Sequence, residues 1–150
     1  MAPIRKILVA VDFTDTSDHA LDYALDFARK LDAQVTALHI YELPIYGFPD
    51  GALLTTADMA SRISSSAQTG LDAVIKARAG RGVMLEGMLR QGTPWEEINS
   101  VANEIDADLI VIGTHGRRGL SRVLLGSVAE SVIRTATRPV LTIHGLQRAA

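Results

Sequence analysis

The sequence contains no cysteine, which excludes disulfide bonds, thiolate metal sites and cysteine nucleophiles. It also lacks a dominant sign of charge, because 15 Lys and Arg residues stand against 17 Asp and Glu residues and give a net charge of -2. This balance removes the electrostatic case for a protein that binds nucleic acid or a membrane surface. Any positive charge that binds phosphate must therefore be local.

Long hydrophobic runs are missing as well. The first apolar run, Ile7 to Val11, has only five residues before Asp12, which is too short for the core of a signal peptide. No segment approaches the roughly 20 apolar residues of a membrane helix. We therefore expect a cytoplasmic protein whose partners include neither a membrane nor a nucleic acid.

The overall composition is typical of a folded globular chain. Of the 150 residues, 47% are hydrophobic and 21% are charged, and the mean hydropathy is +0.17. These values exclude intrinsic disorder. The length corresponds to one ordinary domain, and the chain shows no internal repeat of roughly 20 to 50 residues. We expect a single domain over residues 1–150.

Short apolar segments alternate along the chain with stretches of helical periodicity. The predicted strands are Ile7 to Val11, Gln34 to Ile40, Val83 to Leu89, Leu109 to Ile112 and Pro139 to Ile143. The helical stripes between them are Ala20 to Leu31, Ala57 to Ala79, Trp95 to Ile105 and Val128 to Ala136. Apolar strands that alternate with helices require a parallel sheet covered on both faces, so we predict an open α/β sandwich.

Local signals refine this outline. Thr93-Pro94-Trp95-Glu96 combines a capping box with proline at the first helical position, and Ser127 with Glu130 offers a second capping box. Glu86 and Gly87 interrupt the third strand, which predicts an edge position in the sheet.

A glycine-rich basic segment, Gly113-Thr114-His115-Gly116-Arg117-Arg118-Gly119, follows the fourth strand and precedes the helix that begins near Gly126-Ser127. Glycines let main-chain N–H groups approach an anion, and a helix N-terminus adds unpaired donors and partial positive charge. Between Gly113 and Arg138 five arginines accompany one glutamate. From this charge we expect Arg117 and Arg118 to contact phosphate.

Phosphate contacts alone do not explain useful affinity. An anion at a helix end gains about 0.3 to 2 kcal/mol, whereas micromolar binding needs about 8 kcal/mol. A pocket for a base must supply the difference. Ala10, Val11 and Ile40, at the ends of the first two strands, are candidates for packing an adenine ring, with Asp12 available to ribose or base donors.

At this point the sequence resembles the universal stress protein family. The nucleotide-binding subset of that family has Gly, two residues, Gly, nine residues, then Gly followed by Ser or Thr, and this chain has Gly113, Gly116, Gly126 and Ser127 at that spacing. The segments around the predicted strands also look like family signatures, so the resemblance covers nearly the whole chain. Those segments are Ile7 to Asp12, Leu38 to Ile40, Asp108 to Gly113 and Pro139 to Leu141.

The resemblance implies a Rossmann-like fold similar to the adenine nucleotide alpha hydrolases, with strand order 3-2-1-4-5. It implies ATP between strands one and four, Mg²⁺ or Mn²⁺ bridging phosphate oxygens, and a homodimer formed through strand five, Pro139 to Ile143. The residues implied on the adenosine side are Ala10, Val11, Asp12 and Ile40. Those implied beside the ribose and phosphates are Gly113, His115, Gly116, Gly126, Ser127 and Val128, and Ile112 is a further residue expected to contact the nucleotide.

Structural alternatives remain open for several of these residues. Asp12 fits a role in capping the following loop or helix. Gly113 and Gly119 fit the role of ordinary turn glycines. His39, His115 and His144 all lie at strand ends, yet no ligand spacing supports a metal cluster. The segment Tyr41 to Thr56 has no pattern that transfers from the family.

Three functions compete at the level of sequence. The first is a nucleotide-dependent regulatory module of the stress response with an unidentified protein partner, and the second is a slow ATPase or phosphotransferase. The chain has no P-loop, and its lysines lie far from the glycine-rich segment. A phospho-receiver is excluded because Gln91-Gly92 and His144-Gly145 stand where that class needs Asp and Lys. A family member that has lost nucleotide binding is a further alternative.

Overall fold

The computed structural model describes residues 1–45, 47, 49, 56–115 and 125–145. In chain order the elements are β1 (Lys6–Ala10), α1 (Asp15–Leu31), β2 (Gln34–Tyr41), α2 (Ala57–Lys76), β3 (Leu85–Gln91), α3 (Pro94–Glu104), β4 (Leu109–Gly113), α4 (Ser127–Thr135) and β5 (Val140–Ile143). Within these ranges no helix is both long and apolar enough to cross a membrane.

The five strands form one parallel sheet in the order β3-β2-β1-β4-β5. Strand β1 lies at the centre, with Leu8 opposite Thr36 of β2 and Ile110 of β4. The predicted fold class and strand order are confirmed. The edge position predicted for the third strand is also confirmed, because among the residues that the structure describes β3 pairs with β2 alone.

Side chains that alternate along β1 enter two separate cores. Ile7 and Val9 pack with α1 and with Leu71 of α2 on one face of the sheet. Leu8 packs with residues of α3 and α4, Ile98 and Val132 among them, on the other face. All of these side chains are at most 1% exposed, and each large apolar group buried in this way contributes about 1.5 to 3 kcal/mol. Helices therefore cover both faces, as the apolar strands predict.

Two predicted capping boxes are wrong in their hydrogen bonds. Thr93 is the N-cap of α3, but its side chain makes no capping bond. The N-cap of α4 is Gly126, whose carbonyl accepts the first helical bond from Glu130 at 2.9 Å. Ser127 is thus the first helical residue, one position too late for its hydroxyl to cap.

Helix α2 ends at Lys76 rather than at the predicted Ala79.

At the amino ends of the strands, Asp108 joins β1 to β4. Its carboxylate Oδ2 accepts hydrogen bonds from the backbone N–H groups of Arg5 at 2.8 Å and Lys6 at 2.9 Å. These two bonds, assisted by the nearby charges of Lys6 and Arg138, hold the pKa of Asp108 below its ordinary value of 3.8. The ionised carboxylate therefore stabilises the folded state at neutral pH.

Asp108→Ala should lower the free energy of unfolding at pH 7 by about 1 kcal/mol, a modest value because the side chain is only partly buried. Since the folded pKa lies below the unfolded one, the contribution is complete above the unfolded pKa and is lost as the pH falls through the folded pKa. Denaturant unfolding from pH 7 to pH 2 measures this difference. Asp26→Ala, which removes an exposed partner of Arg29, is the control. A difference that stayed constant with pH would contradict the role of the carboxylate.

Candidate functional site

A cavity of about 1410 Å³ opens at the carboxyl ends of β1, β2 and β4. The chain leaves β1 for α1 on one face of the sheet, and it leaves β4 towards α4 on the other face. This divergence of neighbouring strands is the position at which open α/β sheets bind ligands. A smaller cleft of about 420 Å³ lies at the opposite end of the sheet, beside Arg5 and Gly82. The predicted residues border the larger cavity and not the cleft.

Ten of the thirteen predicted site residues lie in the described part of the chain, and the fold brings all ten to the wall of this one cavity. They are Ala10, Val11, Asp12, Ile40, Ile112, Gly113, His115, Gly126, Ser127 and Val128. The other three, Gly116, Arg117 and Arg118, lie outside the described residues. Residues from four separate elements and the turns after them therefore share one concave surface.

Asp12 organises the turn between β1 and α1. Its Oδ1 atom accepts hydrogen bonds from the Thr14 N–H at 3.0 Å and from the Thr14 hydroxyl. The Asp12 N–H donates to the Ser17 hydroxyl at 3.2 Å, and the Thr14 hydroxyl caps α1 by accepting from the Ser17 N–H at 3.3 Å. Asp12 thus has the loop-capping role that the sequence left open, and the residue also borders the cavity.

Phe13, which the sequence analysis overlooked, adopts a left-handed backbone conformation with φ of 66°. For a bulky residue this conformation costs about 1 to 2 kcal/mol, so packing must hold it. The Phe13 ring stacks on the His39 ring with centroids 4.1 Å apart. On α2, a Cβ added at Gly70 would stand 2.9 Å from the same ring. The ring therefore fills a slot that exists because residue 70 has no side chain.

Gly113 and Gly126 serve the fold as well as the cavity. A Cβ at Gly113 would stand 2.8 Å from the Thr16 side chain, so the glycine lets α1 approach the end of β4. The Gly126 N–H donates to the Thr114 carbonyl at 2.6 Å, which leaves this amide already engaged. At the start of α4, the amides that follow Gly126, and not the Gly126 amide itself, are therefore the candidates for binding an anion.

Helix α4 begins at the cavity with Ser127, Val128 and Ala129, which all border it. No side-chain cap satisfies the start of this helix within the described part of the chain. The first N–H groups of any helix lack intrahelical partners, and the helix dipole adds a partial positive charge there. The cavity therefore presents anion-binding donors on the β4 side and, around Ala10, Ile40 and Ile112, an apolar surface.

Thr114 connects this region to the end of β5. It is 1% exposed, its N–H donates to the Ile143 carbonyl at 3.0 Å, and its hydroxyl lies 3.0 Å from His115 Nδ1 and 3.2 Å from His144 Nδ1. Because one hydroxyl carries a single proton, it donates to at most one of these rings. Thr114 was not singled out from the sequence, since its partners are set by the sheet.

Among the described residues no group of three His, Asp or Glu side chains is placed to hold a metal.

Helix α2 supplies a wall that the sequence analysis did not predict. Arg62, Ser66 and Gly70 follow one another at four-residue spacing, and all three border the cavity beside Phe13. Arg62 pairs with Asp58 at 3.1 Å. The glycine within the helical stripe was the available signal, because glycine in a helix interior costs stability and marks a close approach.

Comparison with known proteins places this geometry in a family. The model of the Universal stress protein family matches residues 3–144. Universal stress protein MJ0531 of Methanocaldococcus jannaschii is 36% identical over 141 residues, which cover 93% of this chain and 81% of the relative. YxiE of Bacillus subtilis, another universal stress protein, is 31% identical over 154 residues, covering 93% of this chain and 99% of the relative.

Solved structures agree with the sequence relatives. The universal stress protein UspA from Lactobacillus plantarum has a TM-score of 0.81 at 26% identity and covers 95% of this chain and 99% of its own. The universal stress protein from Archaeoglobus fulgidus in complex with dAMP has a TM-score of 0.58 at 28% identity, with coverage of 95% and 99%. The strand order, the cavity at the carboxyl ends of β1 and β4 and the match over nearly the full length lead to one conclusion: this chain belongs to the universal stress protein family.

Proposed function

We propose that this protein binds ATP in the cavity described above and serves as a nucleotide-dependent regulatory module in the response to stress. The start of α4 is the observation that carries the proposal. Ser127, Val128 and Ala129 bring uncapped helical N–H groups to a cavity whose other side is apolar. A phosphate chain suits such donors and a purine suits the apolar side.

The relative from Archaeoglobus fulgidus supports the choice of an adenine nucleotide, because its structure was determined in complex with dAMP. In this chain Ala10, Ile40 and Ile112 would contact the purine, and Asp12 would accept a hydrogen bond from a ribose hydroxyl or the base amine. Gly116, Arg117 and Arg118 belong to the proposed phosphate side by sequence alone.

A divalent cation fits the proposed site through hard oxygen donors. Asp12 and Ser127, which carry a carboxylate and a hydroxyl, both border the cavity, and Mg²⁺ or Mn²⁺ would be held chiefly by phosphate oxygens with one such protein ligand. When bound, the ion would neutralise part of the phosphate charge.

Ser127→Pro should weaken ATP binding while leaving the fold intact. Proline is tolerated at the first helical position, and Gly126 already has φ of -59° and ψ of 149°, which suits a residue before proline. The substitution removes one N–H donor, so ATP should bind roughly tenfold more weakly than to Ser127→Ala, which loses only the hydroxyl. Isothermal titration calorimetry with ATP and with adenosine measures both affinities. Adenosine should bind the two variants equally, and equal ATP affinities would refute the role of the helix start.

We also propose that two copies associate along β5, which has a strand neighbour on one side only within the described part of the chain. The carbonyls of Pro139 and Ile143 accept hydrogen bonds from the β4 side at 2.9 and 3.0 Å. Backbone groups alternate in direction along a strand, so those of Val140 and Thr142 face the outer edge. An edge with outward N–H and C=O groups favours pairing with a second chain.

Thr142→Pro removes an outward N–H of β5 without removing a bond to β4, and prolines are tolerated on edge strands. Light scattering on the parent protein should give about twice the chain mass of 16.1 kDa, and the variant should shift towards the single-chain mass. Thr142→Val keeps the N–H and should leave the dimer unchanged. A monomeric parent protein would contradict the proposed interface.

A further inference from the structure

His39 lies beneath the turn that carries Asp12, and it is fixed from two directions. Its ring is in a side chain that is 6% exposed, and its Nδ1 atom lies 2.7 Å from the Val11 carbonyl oxygen. Because a carbonyl only accepts hydrogen bonds, Nδ1 carries the proton and donates it. The same ring stacks on Phe13. His39 thereby contacts the residue before Asp12 and the residue after it.

Gly70 completes the arrangement from α2. The Phe13 ring has His39 on one side, at a centroid distance of 4.1 Å, and approaches the backbone of Gly70 on α2. Any Cβ at position 70 would stand 2.9 Å from two ring atoms of Phe13, which is closer than non-bonded carbon atoms pack. The left-handed φ of Phe13 leaves its backbone little freedom to adjust. A side chain at position 70 must therefore displace the ring.

We infer that His39, Phe13 and Gly70 form a clamp that positions the Asp12 carboxylate and thereby determines which nucleotide the cavity accepts. The inference rests on the proposed function, since it concerns the specificity of the same site. The three residues act through Asp12 and are positioning residues. A carboxylate held in one orientation raises the affinity for a ligand that donates a hydrogen bond to it. An analogue that lacks the donor does not form this bond and binds more weakly.

Gly70→Ala separates positioning from stability. The substitution raises helix propensity within α2 but also crowds the Phe13 ring, so thermal unfolding must show that the variant is folded at the assay temperature before its binding is compared. Thr69→Ala is the matched control, because Thr69 is the adjacent exposed residue of the same helix. It does not border the cavity as far as the described residues define it. Its change to alanine also raises helix propensity.

A comparison of ATP, ITP and dATP identifies the ligand group that donates a hydrogen bond to Asp12. ITP lacks the base amine of ATP, and dATP lacks the ribose 2′-hydroxyl. The parent protein should prefer ATP to at least one of these analogues by roughly tenfold, the effect of one hydrogen bond to a charged acceptor. Gly70→Ala should reduce this preference to about twofold or less, whereas Thr69→Ala should retain it. A loss of affinity that is equal for all three ligands would overturn the inference, because it would show a general disturbance of the cavity.

A double variant tests whether the clamp acts through Asp12. Asp12→Ala should abolish the preference by itself, and Asp12→Ala with Gly70→Ala should show no further change in the ratio of affinities. A further reduction in the double variant would mean that Phe13 contacts the ligand directly, which contradicts positioning through Asp12.

A measurement on the ligand-free protein distinguishes failure of this inference from failure of the proposed function. The His39 Nδ1 proton, hydrogen-bonded and buried, should give a downfield proton NMR signal that moves in Gly70→Ala and stays in place in Thr69→Ala. If the signal behaves so and the parent protein binds none of the nucleotides, the proposed function fails and the specificity with it. If the parent protein binds ATP and Gly70→Ala keeps its full preference, only the clamp is overturned.

Discussion

The chain leaves β1 towards one face of the sheet and leaves β4 towards the other, and this divergence creates the opening on which the rest of the site depends. Helix α1 packs on one face of the sheet and α4 on the other, so the two neighbouring strands separate at their carboxyl ends. A parallel sheet with right-handed crossovers imposes this divergence where the strand order reverses. The cavity is therefore a consequence of topology, and the residues that border it determine only its chemistry.

The two sides of the opening are held by different means. On the β1 side, short-range bonds among Asp12, Thr14 and Ser17 form the turn, and the buried His39 supports it from the neighbouring strand. On the β4 side, Thr114 binds both the end of β5 and the start of α4. Hydrogen bonds among such groups favour one local geometry. A site whose contacts form before a ligand arrives lowers the ordering cost of binding.

Several residues combine structural and functional roles, and the structure explains why. Gly113 admits Thr16 of α1, and Gly126 donates its N–H to Thr114, so neither glycine is explained by phosphate binding alone. Both nevertheless border the cavity, because the contacts that bring the elements together also define its wall. Asp12 likewise shapes the turn and borders the cavity.

Local patterns in the sequence were sufficient for the elements and the fold class, because apolar runs such as Leu109 to Ile112 and the stripe of α1 depend on neighbours in the chain. The family resemblance supplied the strand order, and the strand ends together with the resemblance supplied the ten residues that the fold brings to one cavity. The clamp of His39, Phe13 and Gly70, the α2 wall and the partner of the Gly126 amide came only from the tertiary structure. Each joins residues that are distant in sequence, and their distances are set by how the helices pack on the sheet, which no local pattern encodes.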